Sequence, residues 1–384
     1  MRSICGLLLV LGTLMVPATA LAAAGDRPIG FGQQTSGGCA ERRCICHVRE
    51  ATEAALLACV HAPGSGTVVF DTPGPIFIDS PPAARASRIK VPSNKTIQGP
   101  VTLVTNGVLF EIESQDNIII RDVRYHSALS DHAECRDVTG PAQSVRCGEA
   151  INIVGDSKNI WIDHNDFSQC GEKCVEVWAT PGFGPSAANG RLLGPDMITI
   201  SNNIFRDSYF GVAIGVDAHT GPERLPEHER VTVYGNLFTG IFRRTPRGAS
   251  GAWVHVFNNV IAHWGGQNSC IRDGFGFGPS SIGSAQMLLE NNVLIANVDP
   301  RACKVATEIS DYDSTSVGGS DRGLGLMRVA GNLTVNGTVL NQNNPGSVFD
   351  PHAYYSYTLL PADRVFSSVR ANAGVRTGPP RRPN

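Results

Sequence analysis

Ile160-Trp161-Ile162-Asp163-His164-Asn165-Asp166-Phe167 joins an alternating apolar run to an asparagine, with an apolar residue two positions later, and the pattern returns. Ile198-Thr199-Ile200-Ser201-Asn202-Asn203-Ile204-Phe205 is the next copy, followed by Val231 to Phe238 around Asn236. Val254 to Ile261 and Met287 to Leu294 keep the register at Asn259 and Asn292, and Met327 to Thr334 is a weaker last copy around Asn332. Residues 117–123, Asn-Ile-Ile-Ile-Arg-Asp-Val, read as an earlier strand of the series. From Asn165 the steps are 38, 33, 23, 33 and 40 residues. The shortest is about one coil of a β-solenoid, and the longer ones allow loop insertions. Period-two alternation places every second Ile or Val inside the coil. Asparagine tolerates left-handed backbone, and its amide can bond the same group one coil away, so a stacked column at a bend is expected. A β-sandwich with Asn at hairpin turns is the plainer alternative, but it does not explain six registered copies. The fold class expected is all-β, a single-stranded right-handed parallel β-helix.

Around this core, residues 47–61 are good helix formers and are expected to cap the open amino-terminal end. Residues 1–23 read as a signal peptide: Arg2, an apolar stretch from Leu7 to Val16, and Ala20-Leu21-Ala22 as a small-x-small cleavage site. The apolar part is too short to span a membrane. The expected organisation is thus 1–23 signal peptide, 24–376 one β-helix domain, and 377–384 a disordered tail. The expected product is secreted, extracellular or periplasmic, and monomeric. Across all 384 residues, 32 basic residues oppose 34 acidic ones, which argues against a nucleic-acid or anionic-membrane partner. Loss of Cys5 with the signal leaves ten cysteines, an even number suited to disulfides in an oxidising compartment. Cys39, Cys44, Cys46 and Cys59 lie near one end; Cys135 and Cys147 bracket a polar loop; Cys170/Cys174 and Cys270/Cys303 are plausible pairs. Zinc at Cys44-Ile45-Cys46-His47 is the rival reading, although the ligand spacing is unusual.

Several stretches together resemble the pectate lyases of polysaccharide lyase family one. Gly30-Phe31-Gly32, Thr35 and Gly37-Gly38 resemble the family's opening, and Ser93-Asn94-Lys95-Thr96-Ile97 with Gly99 its first coil. Trp161-Ile162-Asp163-His164 and Arg244-Thr245-Pro246-Arg247, followed by His255-Val256-Phe257-Asn258-Asn259, match signatures. The likeness runs from about Gly30 to Trp264 and is strongest over 148–264. It implies calcium-assisted β-elimination of α-1,4-linked galacturonan, an acidic plant cell-wall polysaccharide (pectate or a related uronan).

That chemistry removes a proton beside a carboxylate, so a cation must stabilise the enolate-like charge; Ca²⁺ with hard oxygen ligands suits the role. The resemblance places metal ligands at Glu149, Glu172 and Glu176. The last two, four apart on a strand, share a face. It makes Arg244 the proton acceptor and Arg247 a partner for substrate carboxylate, with Arg243 as the alternative one step away. An arginine base is demanding, because guanidinium is ordinarily protonated, and a clamp on carboxylate is the plainer role. Two departures stand out. The family's substrate-binding lysine falls near Phe210, and one more family carboxylate falls at Cys147. Fewer cations point to a methylated, branched or different uronan. His164, His255, Asp163 and Trp161 read as structural. The alternatives are a calcium-independent pectin or other uronan lyase, hydrolysis by paired carboxylates on the same fold, and a non-catalytic carbohydrate-binding β-helix.

Overall fold

Five successive asparagines donate their backbone N–H to the side-chain oxygen of the next: Asn165 to Asn203, Asn203 to Asn236, Asn236 to Asn259, Asn259 to Asn292, and Asn292 to Asn332, all at 2.8–2.9 Å. In this computed structural model the described residues are 27–39, 41–78, 89–105, 109–127, 149–170, 173–179, 186–216, 224–265, 276–311, 323–343 and 346–376. Each ladder asparagine is preceded by a left-handed residue: His164, Asn202, Gly235, Asn258, Asn291 and Gly331 have φ between 47° and 68°. The ladder side chain therefore turns inward to bond the neighbouring coils, while the residue before it makes the bend. Asn203, Asn236, Asn259 and Asn292 are fully buried, and their amides also donate to backbone carbonyls of the preceding coil.

The strands on either side of this bend stack coil on coil in parallel. Ile160 pairs with Ile198, Ile198 with Val231, Val231 with Val254, and Val254 with Met287. Beyond the bend, Phe167 pairs with Phe205 and Phe205 with Phe238. A separate eight-stranded sheet takes one strand from each coil: Ile89–Lys90, Phe110–Glu113, Ile151–Val154, Lys173–Ala179, Phe210–Val216, Arg247–Ala249, Ser280–Ile282 and Glu308–Ser310. Ile151, Val175, Val212, Ile198 and Val231 join one continuous core. The fold is the expected all-β parallel β-helix.

The cap is shorter than residues 47–61. An α-helix spans Glu53–Val60, and Ile45–Val48 instead forms a strand on Gly66–Phe70. Thr52 sets the start by accepting from the Ala55 amide. A Cys46–Cys59 disulfide ties strand to helix, and Leu56 and Val60 close the core. Cys39–Cys44 and Cys170–Cys174 are also bonded. Disulfide-bonded Cys44 and Cys46 offer no thiolates, so zinc at that cluster is not supported. Cys303 is disulfide-bonded; Cys135, Cys147 and Cys270 lie outside the described residues, as do residues 1–23 and 377–384. A second helix, Ala362–Asn372, packs Val365 and Val369 on Val260 and Val293. No helix among the described residues is long and apolar enough to cross a membrane.

Two predictions follow from this interior. Asn236→Ala removes the acceptor of the Asn203 amide and a donor to Ile200 O. Each buried group left unsatisfied costs about 1–3 kcal/mol, so the urea midpoint should fall clearly; Asn372→Ala, at an exposed helix end, should barely move it. The second concerns Glu229, fully buried at the start of Glu229–Tyr234. Burial, reinforced by the Asp196 carboxylate, pushes its carboxyl well above the usual range. A raised carboxyl holds its proton more tightly in the folded chain. Its stabilising contribution is therefore present below the ordinary carboxylate value and lost as pH rises through the folded one. Glu229→Gln is expected to be the more stable protein at neutral pH and to flatten that fall, as read from unfolding midpoints across pH. Parallel curves for the two proteins would contradict this.

Candidate active site

One register position runs the length of the eight-stranded sheet and carries most of its charge. Lys90 pairs with Glu111, Glu111 with Asn152, Asn152 with Glu176, Glu176 with Ala213, Ala213 with Arg247, Arg247 with Ser280, and Ser280 with Glu308. The neighbours Val175, Val177, Val212 and Ile214 are buried in the core, and alternation turns this row the other way. Successive strands are about 4.8 Å apart, so Glu176 and Arg247, two strands apart, sit about 10 Å from each other along the row. At its start, Lys90 lies 3.0 Å from Glu111 and 3.2 Å from Glu113. Hydrogen bonding to Glu111 raises the lysine above its ordinary value.

Beside the row lies a compact charge cluster. The Lys173 ammonium donates to Glu149 Oε1 at 3.1 Å and stands 2.8 Å from Glu176 Oε1. The three side chains are only 9%, 10% and 13% exposed. Two of the expected metal ligands thus lie together, while Glu172 lies outside the described residues. Lys173 is the residue the sequence reading missed. Its signal was its place between Glu172 and Glu176, three positions before the latter, but one chain segment does not reveal that Glu149 meets it from the previous coil.

On the other side, Lys173 is the register partner of Phe210, and Phe210 of Arg243. The Arg244 guanidinium lies over the Phe210 ring, 3.7 Å from its centroid. Phe210 stands where the resemblance led us to look for a lysine, and it serves as a platform for the arginine. Arg244 has φ 66°, a conformation that costs a bulky residue energy and persists only when its surroundings enforce it. The Val212 amide donates to Arg244 O at 2.7 Å. Gly211 permits this approach, because a Cβ there would lie 2.6 Å from the same oxygen. Arg243 approaches Glu308 at 3.9 Å, and Arg247 begins the strand Arg247–Ala249. The three arginines therefore gather two to three coils along the helix from the carboxylates.

The histidines belong elsewhere. His255 is fully buried in the sheet through Ala252–Phe257, bonded to the Tyr355 hydroxyl at 2.6 Å and Glu290 at 3.0 Å. Burial holds its pKa below the ordinary value. His164 bonds Asp163 at 2.6 Å, and the Trp161 indole donates to Ser201. Trp161, Asp163 and His255 lie in strands of the larger sheet and His164 at a bend between two of them, apart from the arginines.

A parallel β-helix bearing a row of acids and bases on one sheet is a scaffold suited to gripping a charged linear polymer. A sequence profile described as pectate lyase matches residues 9–378. The chain belongs to the pectate lyase family, polysaccharide lyases that generally work with calcium. It is 26% identical over 363 residues to pectate lyase plyB of Emericella nidulans, across 91% of this chain and 89% of the relative. It is 32% identical over 183 residues to probable pectate lyase 9 of Arabidopsis thaliana, across 45% of this chain but only 35% of that protein. The fold matches the crystal structure of jun a 1, the major allergen from cedar pollen, with TM-score 0.66 and 20% identity over 91% of this chain and 93% of the other. It also matches a pectate lyase bound to hexasaccharide, with TM-score 0.62 and 18% identity over 92% and 99%.

Proposed function

We propose that this protein is a secreted polysaccharide lyase that cleaves α-1,4-linked galacturonan, or a closely related uronan, by β-elimination. The observation that carries the reading is Arg244, held in a left-handed conformation over Phe210 on the same sheet as the Glu149–Lys173–Glu176 cluster. In this reading Arg244, acting in its neutral form, takes the C5 proton of the uronate. The electron pair left behind forms a double bond between C4 and C5, and the bond from C4 to its oxygen breaks. That oxygen takes up a proton from solvent to become the hydroxyl of the new reducing end. No water is consumed. Arg247 and Arg243 hold uronate carboxylates, a task suited to their planar donors. Three disulfides among the described residues support a working place in an oxidising compartment outside the cytoplasm. We take the working form to be a monomer.

Calcium is the point at which this chain parts from the expectation. Ca²⁺ takes six to eight oxygens at about 2.3–2.6 Å. Here one oxygen each of Glu149 and Glu176 is engaged by the Lys173 ammonium. The described residues do not fit a divalent ion with that ammonium in place. This favours the calcium-independent form of the lyase.

The test is to incubate the mature protein with polygalacturonate and follow ultraviolet absorbance together with new reducing ends. Both should rise in proportion, because every elimination creates one unsaturated uronide. Reducing ends without absorbance would mean hydrolysis. Binding without either would leave a carbohydrate-binding protein.

A further inference from the structure

We propose that Lys173 is the resident cation of the site, a tethered substitute for the calcium ion used elsewhere in the family, so that the protein neither needs nor takes up Ca²⁺ there. The inference deepens the lyase reading and, in its activity arm, rests on it.

The geometry is that of a filled site. Two carboxylates from successive coils converge on one ammonium, at 3.1 Å for Glu149 and 2.8 Å for Glu176, and all three side chains are largely buried. Two buried carboxylates that close to one centre repel each other and are stable only when a cation between them offsets their charge. Lysine suits this better than arginine, because its ammonium is a compact point charge with three donors. The position is also the right one for chemistry. Lys173 is the register partner of Phe210, whose ring carries the Arg244 guanidinium, so the cation lies one coil from the platform of the proposed base. The Lys173 ammonium and the Arg244 guanidinium together balance the charges of Glu149 and Glu176, so a uronate carboxylate held by the arginines would have its developing charge stabilised by fixed groups, without a metal to load.

Isothermal titration of the mature protein with Ca²⁺ should show no binding at this site, and its melting temperature should be the same in Ca²⁺ and in chelator. Lys173→Ala exposes the carboxylates and should create a Ca²⁺ site, seen as new binding heat and a melting temperature that Ca²⁺ raises. Glu176→Gln added to Lys173→Ala should abolish that binding. On polygalacturonate, chelator should leave the wild-type rate unchanged. Lys173→Ala should lose on the order of 100-fold in chelator and recover with Ca²⁺. If Lys173→Ala does not fold, the wild-type titration and melting comparison still decide the matter. Wild-type binding of Ca²⁺ that Glu176→Gln removes, or wild-type activity that chelator stops, would overturn the proposal. If no uronan is cleaved under any condition, the lyase reading fails while the titrations still judge Lys173.

Discussion

Arg244→Lys is expected to lower kcat on polygalacturonate by about 10²–10⁴-fold, the range that a positioned proton-transfer group supplies, while the polymer still binds. The positive charge survives the substitution, so a loss cannot be laid to missing attraction. What changes is shape. The planar guanidinium lies 3.7 Å from the Phe210 ring centroid, on a backbone held at φ 66°. A flexible ammonium on the same backbone places its nitrogen elsewhere and is a poor replacement at a stacked site. Steady-state kinetics by absorbance give kcat and KM separately. A fall confined to kcat supports proton abstraction by Arg244. A rise in KM with unchanged kcat would make it a carboxylate clamp and move the chemistry to another group.

Phe205→Ala is expected to be the most damaging single change to stability, at about 3–5 kcal/mol. Phe205 lies between Phe167, with ring centroids 5.0 Å apart, and Phe238, at 4.7 Å and only 6° from parallel. All three are almost fully buried. Truncating the middle ring opens a cavity and removes both stacking contacts, each worth about 0.5–1.5 kcal/mol beyond burial. In a solenoid each coil is stabilised by its two neighbours, so a defect here weakens two interfaces at once. Phe205→Leu should retain much of the volume and lose less. Unfolding in denaturant provides the measurement, and an unchanged midpoint for Phe205→Ala would mean that the stack carries little of the stability.

The solenoid was legible because its strongest signal is local and repeated. An asparagine after an alternating apolar run marks each coil, and every copy from Asn165 to Asn332 falls on the ladder. The left-handed position is one residue earlier than the asparagine itself. That follows from which side chain must turn inward, a detail that residue type alone does not encode. The cap was overextended because helix propensity over 47–61 takes no account of the pairing of Ile45–Val48 with Gly66–Phe70 or of the Cys46–Cys59 bond. Ala362–Asn372 was missed because its apolar face has no partner until Val260 and Val293 are brought to it.

The site divides in the same way. Arg244 and the carboxylates stand out in the sequence because they sit in short motifs. The meaning of Lys173 and Phe210 could not, since each acts on a residue from another coil: Lys173 on Glu149, 24 positions back, and Phe210 on Arg244. A lysine expected near Phe210 is absent, and a lysine not sought stands one strand away between two glutamates. The cationic character of the site is thus redistributed as much as reduced.

The most direct test of the central claim is the mass of the products. The mature protein would be incubated with polygalacturonate and the oligouronides weighed by mass spectrometry. Elimination predicts that every newly made non-reducing end lacks the elements of one water, matching its double bond. Products that carry the full water at both ends would show hydrolysis and contradict the account of Arg244 as the proton acceptor of a lyase.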